Sequence, residues 1–161
     1  MTHSYKIFLA RWARRLSWNE VATVFETSWG CVFRAVKAVV DYGLAHRSLD
    51  GVTQIGVDEI AVFRGQKYLT MVYQLDAGFR RLLWCGPERR VKTLLRFFRM
   101  FGKELSAKLK YVCSDMWGPY LKAKLAMRRS YGFKSIENLQ IALYHTLGSL
   151  PDPPGGPHIF C

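Results

Sequence analysis

Two aspartates lie in stretches of sequence that otherwise have the composition of buried strands. Asp58 stands in the middle of QIGVDEIAVF, and Asp115 directly follows KYVCS. Aspartate is disfavoured in strands and an uncompensated buried carboxylate is costly, so each residue needs a compensating partner. A lone aspartate of this kind is usually an edge-strand residue that faces water or an arginine. Two of them side by side would instead bind a divalent metal ion.

Such a pair of carboxylates supports metal-dependent phosphoryl transfer. Mg²⁺ prefers oxygen ligands, and two ions can activate an attacking oxygen and stabilise the leaving one. The four histidines lack ligand spacing, and neither a glycine-rich phosphate loop nor a serine, cysteine and histidine arrangement is present. The four cysteines contain no C-x-x-C pair and are expected to be free thiols. No small-molecule substrate is expected.

The elements that would position the two aspartates are three strands, a helix and a returning strand. Strands are predicted over 54–63, 67–75 and 81–85, with turns at RGQ and DAGF. A helix is predicted to begin at Pro87, and a short strand follows over 110–113. Because a helix between two strands implies a crossover, the last strand should lie parallel to the first and bring Asp58 beside Asp115. This order is the opening half of the ribonuclease-H-like fold.

The chain carries a strong excess of positive charge. Its 161 residues include 24 Lys and Arg against 12 Asp and Glu. Fifteen of the basic residues lie between Arg80 and Lys134, where three acidic residues oppose them. This field attracts polyanions, and nucleic acid, a membrane surface and a ribosome all fit it. No apolar run reaches the roughly 18 residues of a membrane span and no signal-peptide core is found, so a cytoplasmic protein is expected.

The helix over RRVKTLLRFFRMFGKEL is predicted to have an apolar and a basic face. The residues expected on its inner face are Val91, Leu94, Leu95, Phe98 and Leu105. The residues expected on the other face, as candidates for contact with DNA, are Lys92, Arg96, Arg99 and Lys103. A basic stripe is equally often a solvated helix face, and both interpretations remain open.

The first fifty residues favour DNA among the polyanions, because they have the pattern of a helix-turn-helix. Helices are predicted up to Leu16, over 18–25 and from 29 to about 42. Ser17 and Glu20 form a capping box, and Ser28 is the expected N-cap of the third helix. The apolar stripe of that helix consists of Val32, Val36, Val39 and Val40. The residues expected to face DNA are Ser28, Trp29, Arg34 and Lys37, although an ordinary helical hairpin is the alternative.

Four segments together resemble the DDE-type insertion-sequence transposases of the ISL-three group. They are WARRLSWNEVATVFETSWGCVFRAV, IGVDEIAVFRGQKYLTMVYQLD, RLLWCGPER and VCSDMWGPYLKA. The resemblance implies that Asp58 and Asp115 are the first two catalytic and metal-binding aspartates, with Mg²⁺ or Mn²⁺ as cofactor. It also implies that the N-terminal helices bind double-stranded DNA at transposon ends, and that the reaction is DNA cleavage and strand transfer.

The sequence also departs from this family. No cysteine-rich zinc-binding segment precedes the helices, and the stretch from LAMRRSYGF onward resembles the family's C-terminus although it directly follows YLKAK. An internally deleted or truncated copy is therefore expected. Its parts would be a helix-turn-helix over 1–50, the first half of the ribonuclease-H-like domain over 51–122, and a C-terminal remnant over 123–161. Glu137 is expected on a helix surface and is not assigned as the third catalytic carboxylate.

Two functions remain compatible with the sequence. The chain is either an inactive transposase copy or a stand-alone DNA-binding regulator or inhibitor of the full-length enzyme. A regulator has no use for carboxylates brought together from separate strands, so Asp58 and Asp115 favour the transposase origin. In a truncated copy the strand before Asp115 would be an exposed edge, so self-association and low solubility are expected.

Overall fold

The computed structural model describes residues 1–63, 67–114 and 135–156. The chain divides into two units, one of Met1–Arg47 with Leu125–Cys161 and the other of Ser48–Lys124. The C-terminal segment therefore shares a unit with the N-terminal helices. Within the described ranges no helix is both long and apolar enough to cross a bilayer, and the three cysteines found there are free thiols.

The described helices and strands up to the fourth strand follow the order predicted from the sequence, except that a separate short helix at Lys103–Ala107 was not predicted. The described elements are α1 (His3–Trp12), α2 (Trp18–Val24), α3 (Trp29–His46), β1 (Gln54–Phe63), β2 (Lys67–Gln74), β3 (Leu82–Pro87), α4 (Val91–Phe101), α5 (Lys103–Ala107), β4 (Tyr111–Ser114) and α6 (Ile136–Leu147). The protein is thus of the α/β class, as predicted.

The helical unit contains α1, α2, α3 and α6, and its helix starts are set by local hydrogen bonds. The capping box is confirmed: Glu20 N donates to Ser17 Oγ at 3.3 Å, and Ser17 N donates to Glu20 Oε2 at 2.7 Å. Ser28 Oγ accepts from Cys31 N at 3.2 Å and caps α3, as predicted. The predicted valine stripe of α3 is buried. α1 ends at Trp12, earlier than predicted, because the following residues tighten into turns.

The α/β unit is a mixed four-stranded sheet in the order β3-β2-β1-β4. The β1–β2 and β2–β3 pairs are antiparallel, and the β1–β4 pair is parallel. The parallel pairing of the first and fourth strands was predicted from the intervening helix and is confirmed. Its register sets Val57 opposite Ser114.

Helix α4 begins later than predicted, and the reason lies in Glu88. This residue has a φ of 76°, which is incompatible with a helix, and its backbone N donates to Tyr68 O at 2.9 Å. The chain therefore continues the sheet ladder past Pro87, and the helix starts at Val91. At its other end Gly102, with a φ of 86°, stops the helix. Lys103 consequently belongs to α5, so the predicted single basic stripe was wrong at this residue.

The inner face of this helical segment agrees in part with the prediction, because Leu94, Phe98 and Leu105 pack against the core. The core of this unit consists of Val52, Ile55, Val72, Leu83, Phe97 and Phe101. Val91 and Leu95, predicted to face inward, are 78% and 46% exposed. Phe97 and Phe101 are one helical turn apart, and they bury two large rings against the sheet. The face of α4 that packs against the sheet is therefore the one that carries Phe97 and Phe101.

Candidate catalytic cleft and nucleic-acid surface

A cleft of about 260 Å³ opens in the α/β unit beside β1. The described residues that line it are Val57, Asp58, Glu59, Tyr68, Arg89 and Ser114. They come from β1, from its neighbours β2 and β4, and from the segment before α4. The pairing of the sheet thus gathers side chains that lie up to 57 positions apart in the sequence.

Asp58 is half-buried at this cleft. Its Oδ1 accepts a hydrogen bond from Glu59 N at 2.8 Å, and its Oδ2 is shielded from solvent. Burial, and then the charge of Asp58, raises the pKa of the Tyr73 phenol, so this hydroxyl stays protonated and donates to Met71 Sδ at 3.2 Å. The Glu59 amide thus orients the Asp58 carboxylate within the cleft.

Glu59, Tyr68 and Arg89 form a second group in the same cleft. Arg89 Nε pairs with Glu59 Oε2, and the Arg89 guanidinium lies 5.7 Å from the centroid of the Tyr68 ring. These residues were not predicted as site residues. A second acidic residue beside Asp58 in the strand was an available signal for Glu59. The sequence contained no signal for Arg89, because a second arginine, Arg90, follows it and the two cannot be told apart by residue type.

The second predicted aspartate, Asp115, lies outside the described residues. Val57 pairs with Ser114 in the parallel ladder, and Asp58 and Asp115 are the next residues of the two segments. In the described part of the chain, no group of three or more His, Cys, Asp or Glu side chains could hold a metal ion. The oxygen donors that the described part of the cleft offers include the Asp58 and Glu59 carboxylates and Ser114, and oxygen ligands are of the hard type that Mg²⁺ prefers.

The four predicted DNA-facing residues of α3 have different surroundings. Ser28 is occupied as the N-cap. Trp29 is half-buried and stacks on Phe33 at a centroid distance of 5.7 Å, so its ring is engaged within the helical unit. Arg34 is exposed and donates to Cys31 Sγ at 3.1 Å. Lys37 is half-buried. Arg34 is therefore the cation of this set that α3 offers most openly.

The basic residues predicted on the outer surface of the α/β unit are exposed. Lys92, Arg96 and Arg99 lie on α4, whereas Lys103 begins α5. Glu137, predicted on a helix surface, lies in the first turn of α6 with 65% of its side chain exposed. That prediction is confirmed.

Comparison with known proteins identifies the α/β unit. A family model described as transposase, that of the DDE transposases of the ISL-three group, matches residues 55–124. The transposase for insertion sequence element IS1557 of Mycobacterium tuberculosis is 29% identical over 101 residues, which are 63% of this chain and 20% of that protein. The transposase for IS1001 of Bordetella parapertussis is 30% identical over 100 residues, which are 62% of this chain and 24% of that protein. Over this segment the chain is similar to the ISL-three transposases.

The match to ISL-three transposases covers part of the chain. It begins in β1, includes the cleft with Asp58, and extends past β4 to residue 124. The aligned region spans about a fifth to a quarter of the length of the two relatives. No solved structure matches the chain significantly. The ISL-three relationship therefore rests mainly on the α/β unit that carries the cleft.

Proposed function

We propose that this chain is part of an insertion-sequence transposase and that its α/β unit handles double-stranded DNA during transposition. The observation that carries the proposal is the half-buried Asp58 in a cleft of the segment that matches the transposase family. The parallel strand β4 runs beside it and leads into Asp115. In this proposal the sheet is the first half of a ribonuclease-H-like domain, and the reaction is DNA cleavage and strand transfer.

In this proposal Asp58 and Asp115 hold Mg²⁺ or Mn²⁺. When bound, the ion would supply charge stabilisation for phosphoryl transfer. The chain's own contribution is to orient the Asp58 carboxylate through the Glu59 amide. The exposed basic residues Lys92, Arg96, Arg99 and Lys103 would offset the repulsion between DNA phosphates and the cleft carboxylates.

For the helical unit we propose DNA binding by a helix-turn-helix. Glu26, with a φ of 47°, turns the chain between α2 and α3, and the capped start of α3 follows at once. A capped helix with the exposed Arg34 near its N-terminus has the form of a recognition helix. Ser28, Trp29, Arg34 and Lys37 remain the proposed contact residues.

We further propose that the chain alone does not catalyse transposition. Two aspartates provide fewer ligands than a two-metal site requires. Glu137 Oε1 lies 3.7 Å from Lys37 Nζ on the surface of the helical unit, and in this proposal Glu137 is not the third catalytic carboxylate. A regulator or inhibitor of a full-length transposase is the second candidate. Its support is that α6 packs on α3, so that both ends of the chain contribute to one helical unit.

The DNA-binding part of the proposal is tested with the full chain and a fluorescent duplex carrying the ends of the parent element. Affinity is expected to fall roughly tenfold or more between low and physiological salt. Arg34→Ala combined with Lys37→Ala should weaken binding and reduce the salt dependence. Unchanged binding in this double variant would exclude α3 as the reading helix.

The metal site is tested by titrating Mn²⁺ into the full chain. Asp58→Asn and Asp115→Asn should each weaken binding, whereas Asp50→Asn, at an exposed loop carboxylate of the same unit, should not. Nicking of the duplex with Mg²⁺ or Mn²⁺ is not expected. Nicking that disappears in Asp58→Ala would overturn the proposed inactivity and show that another carboxylate completes the site.

A further inference from the structure

We propose that Arg89 is a phosphate-binding residue of the Asp58 cleft and that Glu59 holds its guanidinium in place until DNA enters. The ligand class, a DNA phosphodiester, rests on the proposed function. The assignment of Arg89 rests on the contacts of the cleft itself.

The cleft carries carboxylates that a bound phosphate would require a nearby cation to offset. Asp58 and Glu59 line it together, and a phosphodiester that approaches two carboxylates is repelled. Among the described residues that line the cleft, Arg89 is the only cation. It can therefore supply a local attraction, whereas the basic residues of α4, which are not among the described lining residues, would act through their general field.

Arg89 is held in an orientation suited to this role by two different elements. Its Nε pairs with Glu59 of β1, and its guanidinium plane lies near the ring of Tyr68 of β2. An arginine has N–H donors on both Nη atoms in addition to Nε, and this planar fork matches two phosphate oxygens at once. The Tyr68 ring thus orients the guanidinium, and Glu59 occupies it until an anion replaces this carboxylate.

The contact with Glu59 can also be exchanged. The side chains of Arg89 and Glu59 are 63% and 36% exposed, and ion pairs this accessible to water contribute little to stability. A DNA phosphate can therefore replace Glu59 as the partner of Arg89. Glu59 would then be left facing solvent, where an unpaired carboxylate is well hydrated.

The neighbouring Arg90 provides a matched comparison. It is 71% exposed, and its Nε lies 3.5 Å from Glu88 Oε2. Arg89 and Arg90 therefore have the same charge, adjacent positions and one exposed carboxylate partner each. They differ because Arg89, unlike Arg90, is among the described residues that line the cleft.

The experiment measures duplex binding of the full chain by fluorescence anisotropy for Arg89→Gln and Arg90→Gln. Arg89→Gln should weaken binding at least about fivefold and lower the salt slope by about one, as expected for one lost phosphate contact. Arg90→Gln should weaken it less than about twofold. Equal losses in the two variants, or no loss in Arg89→Gln, would overturn the proposal. A wild-type chain that binds no duplex would overturn the proposed DNA function and with it this ligand.

A double-mutant cycle tests the holding role of Glu59. Glu59→Gln should strengthen binding in the wild-type background and have a clearly smaller effect when Arg89→Gln is present. Glu88→Gln with Arg90→Gln is the control cycle and should show no such coupling. An equal benefit of Glu59→Gln in both backgrounds would mean that only net charge matters and would overturn the holding role. Thermal unfolding of the variants separates these outcomes from a loss of folded protein.

Discussion

Lys37 of α3 and Glu137 of α6 form an ion pair, with 3.7 Å between Nζ and Oε1. Lys37 also pairs with Asp41, at 3.3 Å. The proposed DNA-facing surface of α3 therefore carries carboxylates next to one of its cations, and one of them comes from the C-terminal helix. Exposed pairs of this kind contribute little to stability, but they reduce the positive potential that a phosphate meets.

The first prediction is that Glu137→Gln strengthens duplex binding by about two- to threefold, because Lys37 loses a competing carboxylate. Anisotropy titrations at low salt measure the change. Glu104→Gln, at an exposed acidic residue of α5, is the control with the same change of charge. A matching gain in this control would assign the effect to net charge and not to α3.

The second prediction concerns the inner face of α4. Phe97→Ala should lower the free energy of unfolding by about 3 to 5 kcal/mol, since Phe97 is fully buried in the core. Val91→Ala should change it by less than about 0.5 kcal/mol, because Val91 is exposed. Urea unfolding followed by circular dichroism compares them. A large loss of unfolding free energy in Val91→Ala would mean that Val91 is buried, as the sequence predicted.

The third prediction concerns the start of α2. Ser17→Ala removes the acceptor of the Glu20 amide and should lower the free energy of unfolding by about 1 kcal/mol. Ser17→Asp keeps an acceptor at the N-cap and should retain most of the stability. Equal losses in both variants, measured by thermal unfolding, would mean that the capping bond does not stabilise the helix.

The fourth prediction is a loss of stability in acid caused by His145. Burial, with a smaller contribution from the charge of Arg14, lowers the pKa of this imidazole to about 3. Below about pH 6.5 the unfolded chain binds a proton that the folded chain does not accept. The contribution of His145 to stability is therefore complete above that pH and is lost as the pH falls toward 3, at up to about 1.4 kcal/mol per pH unit.

Unfolding of the wild-type chain and of His145→Leu at several pH values between 7 and 4 measures this dependence. The variant should flatten it, because no imidazole is left to bind the proton. His46→Gln removes an exposed imidazole and is the control. Equal flattening in the two variants would contradict a specific role for the buried ring.

Local features of the structure were predictable from the sequence. The capping box at Ser17 and the N-cap at Ser28 depend on hydrogen bonds that span three residues, so the sequence contains all of their partners. The bounds of β1 were predicted correctly because apolar and β-branched residues fill that segment. The parallel pairing of β1 and β4 followed from the helix between them, since a crossover connection restricts the geometry.

Only the tertiary structure decided which of several chemically similar residues lines the cleft or enters the core. Arg89 and Arg90 are indistinguishable in sequence, and Arg89 lines the cleft because the sheet register sets Glu59 and Tyr68 within its reach. Packing against the sheet placed Phe97 in the core and left Val91 exposed. Both outcomes depend on contacts with residues that are far away in the sequence. A local sequence pattern does not show which distant residues the folded chain brings into contact.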